Sequence, residues 1–171
     1  MGRRLLLFIG LASVISNPVW GFEQHLEGFP GTRWGMSEQQ VQELFQGKLA
    51  NVVIPGSPSK IVGLKHYDID KCDCYVNFYF DATGLSRVGV GLNDETQIEC
   101  PKMILTTLIG KYGTPTTDEP LTSESPTRMR NWYLGNTRIT EFDFLKLDTK
   151  PLRTSLSLYY EPTQTAGAKK L

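Results

Sequence analysis

The sequence predicts an α+β fold: a duplicated unit of one helix and a three-stranded antiparallel meander, with both helices packed on one face of an antiparallel sheet. Three observations predict it. Two segments repeat apolar residues at three-to-four-residue spacing, six others alternate apolar and polar residues, and they run helix, three strands, helix, three strands. Each helix and the sheet has one apolar side to bury, so two helices on one sheet face is the simplest closure.

The chain opens with Arg3 and Arg4, an apolar run from Leu5 to Ile15, then Asn17 and Pro18 before Val19-Trp20-Gly21. Charged, apolar and small-residue regions in that order form a secretory signal peptide, residues 1–21, with cleavage expected before Phe22. The apolar run falls short of the ~20 residues a spanning helix needs. The mature chain reads as one α+β domain over 22–162 and a disordered tail over 163–171, in the periplasm or secreted. The whole sequence has 18 basic and 18 acidic residues, and losing the leader leaves a slight acidic excess. With no basic block, the chain offers no electrostatic footprint for nucleic acid. Nothing beyond residue 21 resembles a spanning stretch, so no membrane insertion is expected after cleavage.

Ser37 and Gln40 form a capping box at the start of the first helix, and Met36 stands where it can staple against Val41. Val41, Leu44 and Phe45 make its apolar stripe, and Gly47 stops it. Residues 50–60, with Pro55, Gly56 and Pro58, read as loop. Strands follow at 61–68, 72–80 and 85–92, with turns at Asp70-Lys71 and at Asp81 to Gly84. The middle one places Cys74, Val76, Phe78 and Phe80 on one face and Tyr75, Asn77 and Tyr79 on the other. The second helix ends at Tyr112 and starts between 98 and 101, because Thr96 with Glu99 offers a capping box whereas Pro101 favours the first turn. Residues 114–127 read as a long mobile loop. A second meander occupies 128–134, 137–144 and 153–160. Gly-Lys pairs near both helix ends, Gly47-Lys48 and Gly110-Lys111, add to the impression of a duplication.

Cys72, Cys74 and Cys100 are the cysteines, and an oxidising compartment calls for one bridge. The expected topology brings the start of the second strand beside the second helix, so Cys100 reaches Cys74 or Cys72. Cys74 is preferred, since it continues the Val76 and Phe78 face.

Motifs for chemistry are sparse. His25 and His66 are the only histidines. His66, Asp68, Asp70 and Asp73 gather near one turn but match no calcium loop or zinc spacing, so no metal is assigned. Cys72-Asp73-Cys74 is not the Cys-x-x-Cys redox motif. No phosphate loop, dinucleotide fingerprint or nucleophile elbow occurs, so no cofactor is expected. Glu141 and Asp143 share a strand face and are a candidate carboxylate pair. The uncovered face should carry Tyr75, Asn77, Tyr79, Arg87, Ser155, Ser157 and Tyr159, together with Glu141 and Asp143. Tyrosine and arginine among small polar residues are what protein-recognition surfaces favour.

Phe29-Pro-Gly-Thr-Arg-Trp-Gly-Met-Ser-Glu-Gln-Gln-Val41 resembles the opening of small exported bacterial proteins in which Trp-Gly-Met-Ser precedes the first helix, and Lys111-Tyr-Gly-Thr-Pro115 resembles their helix ending. With the helix-and-meander order, this is reminiscent of β-lactamase-inhibitory protein and of the small lipoproteins of outer-membrane barrel assembly. The lipoprotein cysteine is absent, and each unit lacks the inhibitor repeat's extra helix and strand, so no functional residue carries over. The resemblance implies non-catalytic protein binding. The sequence therefore leads to an exported protein that binds a protein partner through Tyr75, Asn77, Tyr79, Arg87 and Tyr159. The alternative is an envelope enzyme using a free cysteine or the Glu141 and Asp143 pair.

Overall fold

The computed structural model describes residues 26–57, 59–120, 127–146 and 153–163. The expected signal peptide, His25, much of the expected loop 114–127 and nearly all of the tail lie outside them.

The α+β expectation of a duplicated helix and three-stranded meander is overturned. The chain forms one eight-stranded antiparallel sheet with two short helices. The elements are α1 (Glu38–Leu44), β1 (Ala50–Asn51), β2 (Lys60–Ile69), β3 (Cys72–Asp81), β4 (Gly84–Leu92), α2 (Cys100–Tyr112), β5 (Thr117–Pro120), β6 (Arg128–Leu134), β7 (Thr137–Lys146) and β8 (Arg153–Pro162). They stand in the order β1-β2-β3-β4-β8-β7-β6-β5. Because β4 pairs with β8 in the middle, through Val88 opposite Tyr160 and Val90 opposite Leu158, the strands fuse into a single sheet. Two edge strands, β1 and β5, lie inside segments whose proline and glycine content reads as loop. The helices are unequal, seven and thirteen residues, and the internal repeat finds no support.

Local chemistry accounts for the elements. The Ser37 hydroxyl accepts from the Gln40 amide and the Gln40 side chain accepts from the Ser37 amide, closing the capping box. The Asp70-Lys71 turn joins β2 to β3 with both residues at positive φ, as a two-residue hairpin of the favoured twist requires. At the next turn Asp81 accepts from both the amide and the hydroxyl of Thr83. The second helix starts at Cys100 with Pro101 in its first turn and no side-chain cap. The alternative Thr96 capping box does not form, because Thr96 donates to Asp94 instead.

The core lies on one face. Val76 and Phe78 of β3, Val88 and Val90 of β4 and Leu156 and Leu158 of β8 pack against Val41 of α1 and against Ile104 and Leu108 of α2. A bulge between Leu64 and Tyr67 shifts the phase of β2, so that Leu64 and Tyr67 both turn to this side. Residues 26–36 cross the same face: Phe29 meets Phe78 and Tyr160 edge-on, and the Trp34 indole donates to Thr137 at 3.0 Å. Full burial of each large apolar side chain here contributes about 1.5–3 kcal/mol.

The disulfide joins Cys72 to Cys100, not Cys74 to Cys100 as preferred from the sequence. Cys72 and Cys74 do share the covered face, as alternation requires. Cys100 opens α2 beside the first residue of β3, with a Cα–Cα distance of 5.8 Å that suits a bridge, while Cys74 sits one step deeper in the sheet. No helix among the described residues is long and apolar enough to cross a membrane.

Candidate functional site

Neither helix covers the second sheet face, and its centre is built on glycines. Gly63 of β2 and Gly89 and Gly91 of β4 all point there, and each is overlain by a neighbour. A Cβ on Gly91 would stand 2.4 Å from the Tyr75 hydroxyl oxygen, and one on Gly63 would stand 2.5 Å from the Asn77 side-chain oxygen. At Gly89 the nearest atoms belong to Tyr79 and Tyr159. The tyrosines therefore lie down across the sheet where a side chain would otherwise prop them up.

Arg87 ties this array together. Its guanidinium lies 4.2 Å from the centre of the Tyr79 ring and 5.7 Å from that of Tyr159, a cation–π sandwich across three adjacent strands. Tyr159 in turn meets Phe142 of β7 edge-on at 6.2 Å. Beyond Tyr159 a shallow depression of about 410 Å³ is lined by Asn131, Thr140, Phe142 and Tyr133. Tyr75 and Tyr133 are the two exposed tyrosines among the described residues, at 38% and 52%, and both stand on this face.

The five expected binding residues thus share one face on adjacent strands. Tyr79 differs from the expectation in exposure: Arg87 and Tyr159 leave it only 9% accessible. Sequence reading missed Tyr133 and Phe142. A polar and apolar alternation running Tyr133, Asn131, Met129 and Phe142, Thr140, Arg138 was the signal for them, hidden because Phe142 looks like a core residue.

Glu141 and Asp143 are not on this face, which corrects the expectation. Their cross-strand partners are Leu158 and Leu156, on the helix side. The aromatic residues of β7, rather than its acids, turn outward, because β6 presents Arg130 opposite Glu141 on the covered side. Arg130 donates to Glu141 at 2.8 Å and to Asp143 at 2.7 Å, and stands 3.3 Å from Asp118. Glu141 is fully buried, and its second carboxylate oxygen has no partner. Burial pushes its acid up to about 7 against the pull of Arg130. Asp118 is held below the usual carboxylate range, foremost by its hydrogen bond from Arg128.

The remaining candidates resolve separately. The free thiol is Cys74, fully buried, and burial with the nearby Asp73 and Asp68 charges pushes it up to about 11. Attack by a cysteine requires an accessible thiolate, which this position does not offer. His66 meets Asp73 at 3.0 Å on the surface, Asp68 accepts from the Lys71 amide, and Asp70 accepts from Thr107, so the acids near this turn are engaged separately. Among the described residues no group of three or more His, Cys, Asp or Glu side chains is placed to hold a metal ion.

No family model matches the chain, and no curated protein does. Among solved structures the fold is similar to that of a DUF4309 family protein, YjgB, from Bacillus subtilis. The identity is 10%, the match covers 74% of this chain and 78% of that one, and the TM-score is 0.42, a likeness too slight to carry an argument.

Proposed function

We propose that this is an exported, non-catalytic protein that binds another protein through its open sheet face. The observation that carries the proposal is the aromatic array: Tyr75 laid over Gly91, and Tyr79 and Tyr159 laid over Gly89 and clamped by Arg87, with Tyr75 and Tyr133 exposed. Tyrosine and arginine are enriched among the residues that dominate binding energy at protein interfaces, tyrosine because it contributes contact area with few rotatable bonds and arginine because its planar guanidinium stacks and donates several hydrogen bonds. Here the rings are already ordered by stacking, so less side-chain freedom remains to be lost on association. The depression beside Tyr159 gives one partner side chain a place to seat.

Export is supported by the basic-then-apolar leader and by the Cys72–Cys100 bridge, which suits an oxidising compartment. The resemblance of the Trp34-Gly35-Met36-Ser37 opening to that of small exported bacterial proteins points the same way.

The test compares capture of envelope proteins by the wild type, by a Tyr75→Ala/Tyr159→Ala variant, and by Arg87→Ala, which keeps the tyrosines and removes the cation that orders Tyr79 and Tyr159. The proposal predicts a protein retained by the wild type and lost from both variants while their thermal unfolding stays cooperative. Equal retention by all three forms would remove the face from consideration.

A further inference from the structure

The covered face is not sealed. Between α2 and the sheet lies a cavity of about 240 Å³. Ile104, Leu108 and Tyr112, one helical stripe at four-residue spacing, form its roof, and Leu158 and Tyr160 form its floor. Phe29 and Tyr67 make a wall. The rings are arranged edge to face: Phe29 stands against Tyr160 at 5.2 Å with planes 89° apart, and is tilted against Tyr67 at 5.7 Å. Asp68, Asp70 and Lys111 stand at the rim.

Within this apolar lining one polar atom is unmet. Tyr112 is 8% exposed, and its buried hydroxyl has no hydrogen-bond partner; the Tyr160 phenol beside it is pushed well up, foremost by burial and then by Tyr112 itself. A buried hydroxyl left unpaired carries its full desolvation penalty, so a ligand group that reaches it relieves that penalty. This hydroxyl and the aromatic walls together describe a ligand.

We propose that the cavity binds a neutral single-ring aromatic alcohol of the phenol class, its ring among Phe29, Tyr67 and Tyr160 and its hydroxyl on that of Tyr112. The size fits, because an apolar cavity of roughly 150 Å³ already admits benzene. A flat ring extends the edge-to-face packing of the walls. A hydroxyl both donates and accepts, so it pairs with a phenol in either sense. An aromatic carboxylate is excluded twice: its charge has no counterion inside, and the rim carries two aspartates against one lysine.

The test titrates the full chain with p-cresol, toluene and benzoate while following the backbone amide resonances of Phe29, Leu108 and Tyr112. The proposal predicts saturable shifts at these amides with p-cresol and with toluene, p-cresol binding about 3- to 10-fold more tightly through its hydroxyl, and none with benzoate. Tyr112→Phe, which keeps the ring, should erase the p-cresol advantage and leave toluene affinity unchanged. If that variant fails to fold, the p-cresol to toluene ratio in the wild type decides. Absence of saturable shifts up to the solubility of p-cresol, meaning a merely hydrated cavity, would overturn the proposal. Equal p-cresol and toluene affinity in the wild type, or an advantage that survives Tyr112→Phe, would also overturn it.

Discussion

Replacing Glu141 with glutamine should change how stability depends on pH, and the direction follows from burial. One Glu141 oxygen accepts from Arg130 at 2.8 Å, the other has no partner, and the side chain is wholly shielded. Desolvation outweighs the pull of Arg130 and raises the acid from 4.5 to about 7. Between those two values the folded state holds a proton that the unfolded state has released. Folding then takes up a proton, and the contribution, fully present below 4.5, is lost as pH rises through about 7. At 1.36 kcal/mol per pKa unit, the loss amounts to about 3 kcal/mol by pH 8. Glutamine keeps the shape and a carbonyl for Arg130 without ionising. Urea unfolding of both forms, stepped from acid to mildly alkaline pH, should show the variant gaining on the wild type by about 3 kcal/mol. A difference that stays flat, or that moves in favour of the wild type as pH rises, would show that Arg130 and not burial governs this site.

Cys72→Ser should cost about 3.5 kcal/mol, since the bridge closes a 28-residue separation, and Cys74→Ser far less; reducing and non-reducing unfolding curves distinguish them. Iodoacetamide should label native Cys74 only as fast as the chain opens, because the thiol is buried and raised to about 11. Gly91→Ala should displace the Tyr75 ring, whose hydroxyl stands 2.4 Å from the added carbon, and weaken partner binding by about tenfold with the far-ultraviolet spectrum unchanged.

Much of the strand layout was legible. Asp70-Lys71 and Asp81 to Gly84 carry turn chemistry strong enough to mark both hairpins, and the alternation around Val76 and Phe78 places the covered face of β3 correctly. A single antiparallel sheet was expected, but not the choice of β4 and β8 as the pair that joins its halves, since that pairing depends on contacts almost seventy residues apart. The edge strands were hidden for another reason: Asn51 and Thr117 pair along one side only, with no apolar alternation to announce them. The face of β7 was misread because Phe142 and Glu141 exchange the roles their polarity implies. Only Arg130, on a different strand, makes burial of that acid tolerable. The choice between Cys72 and Cys74 turned on where α2 begins, which the competing Thr96 and Pro101 signals left open.

On the proposed reading, partners meet the tyrosine face and not the helices. A photocrosslinking residue placed at Tyr75, and separately at Ile109 on the outer surface of α2, tests it directly, because both positions are 38% exposed. Irradiation in cells should join a protein to the chain from position 75 and leave position 109 unlinked. Adducts from 109 with none from 75 would contradict the account.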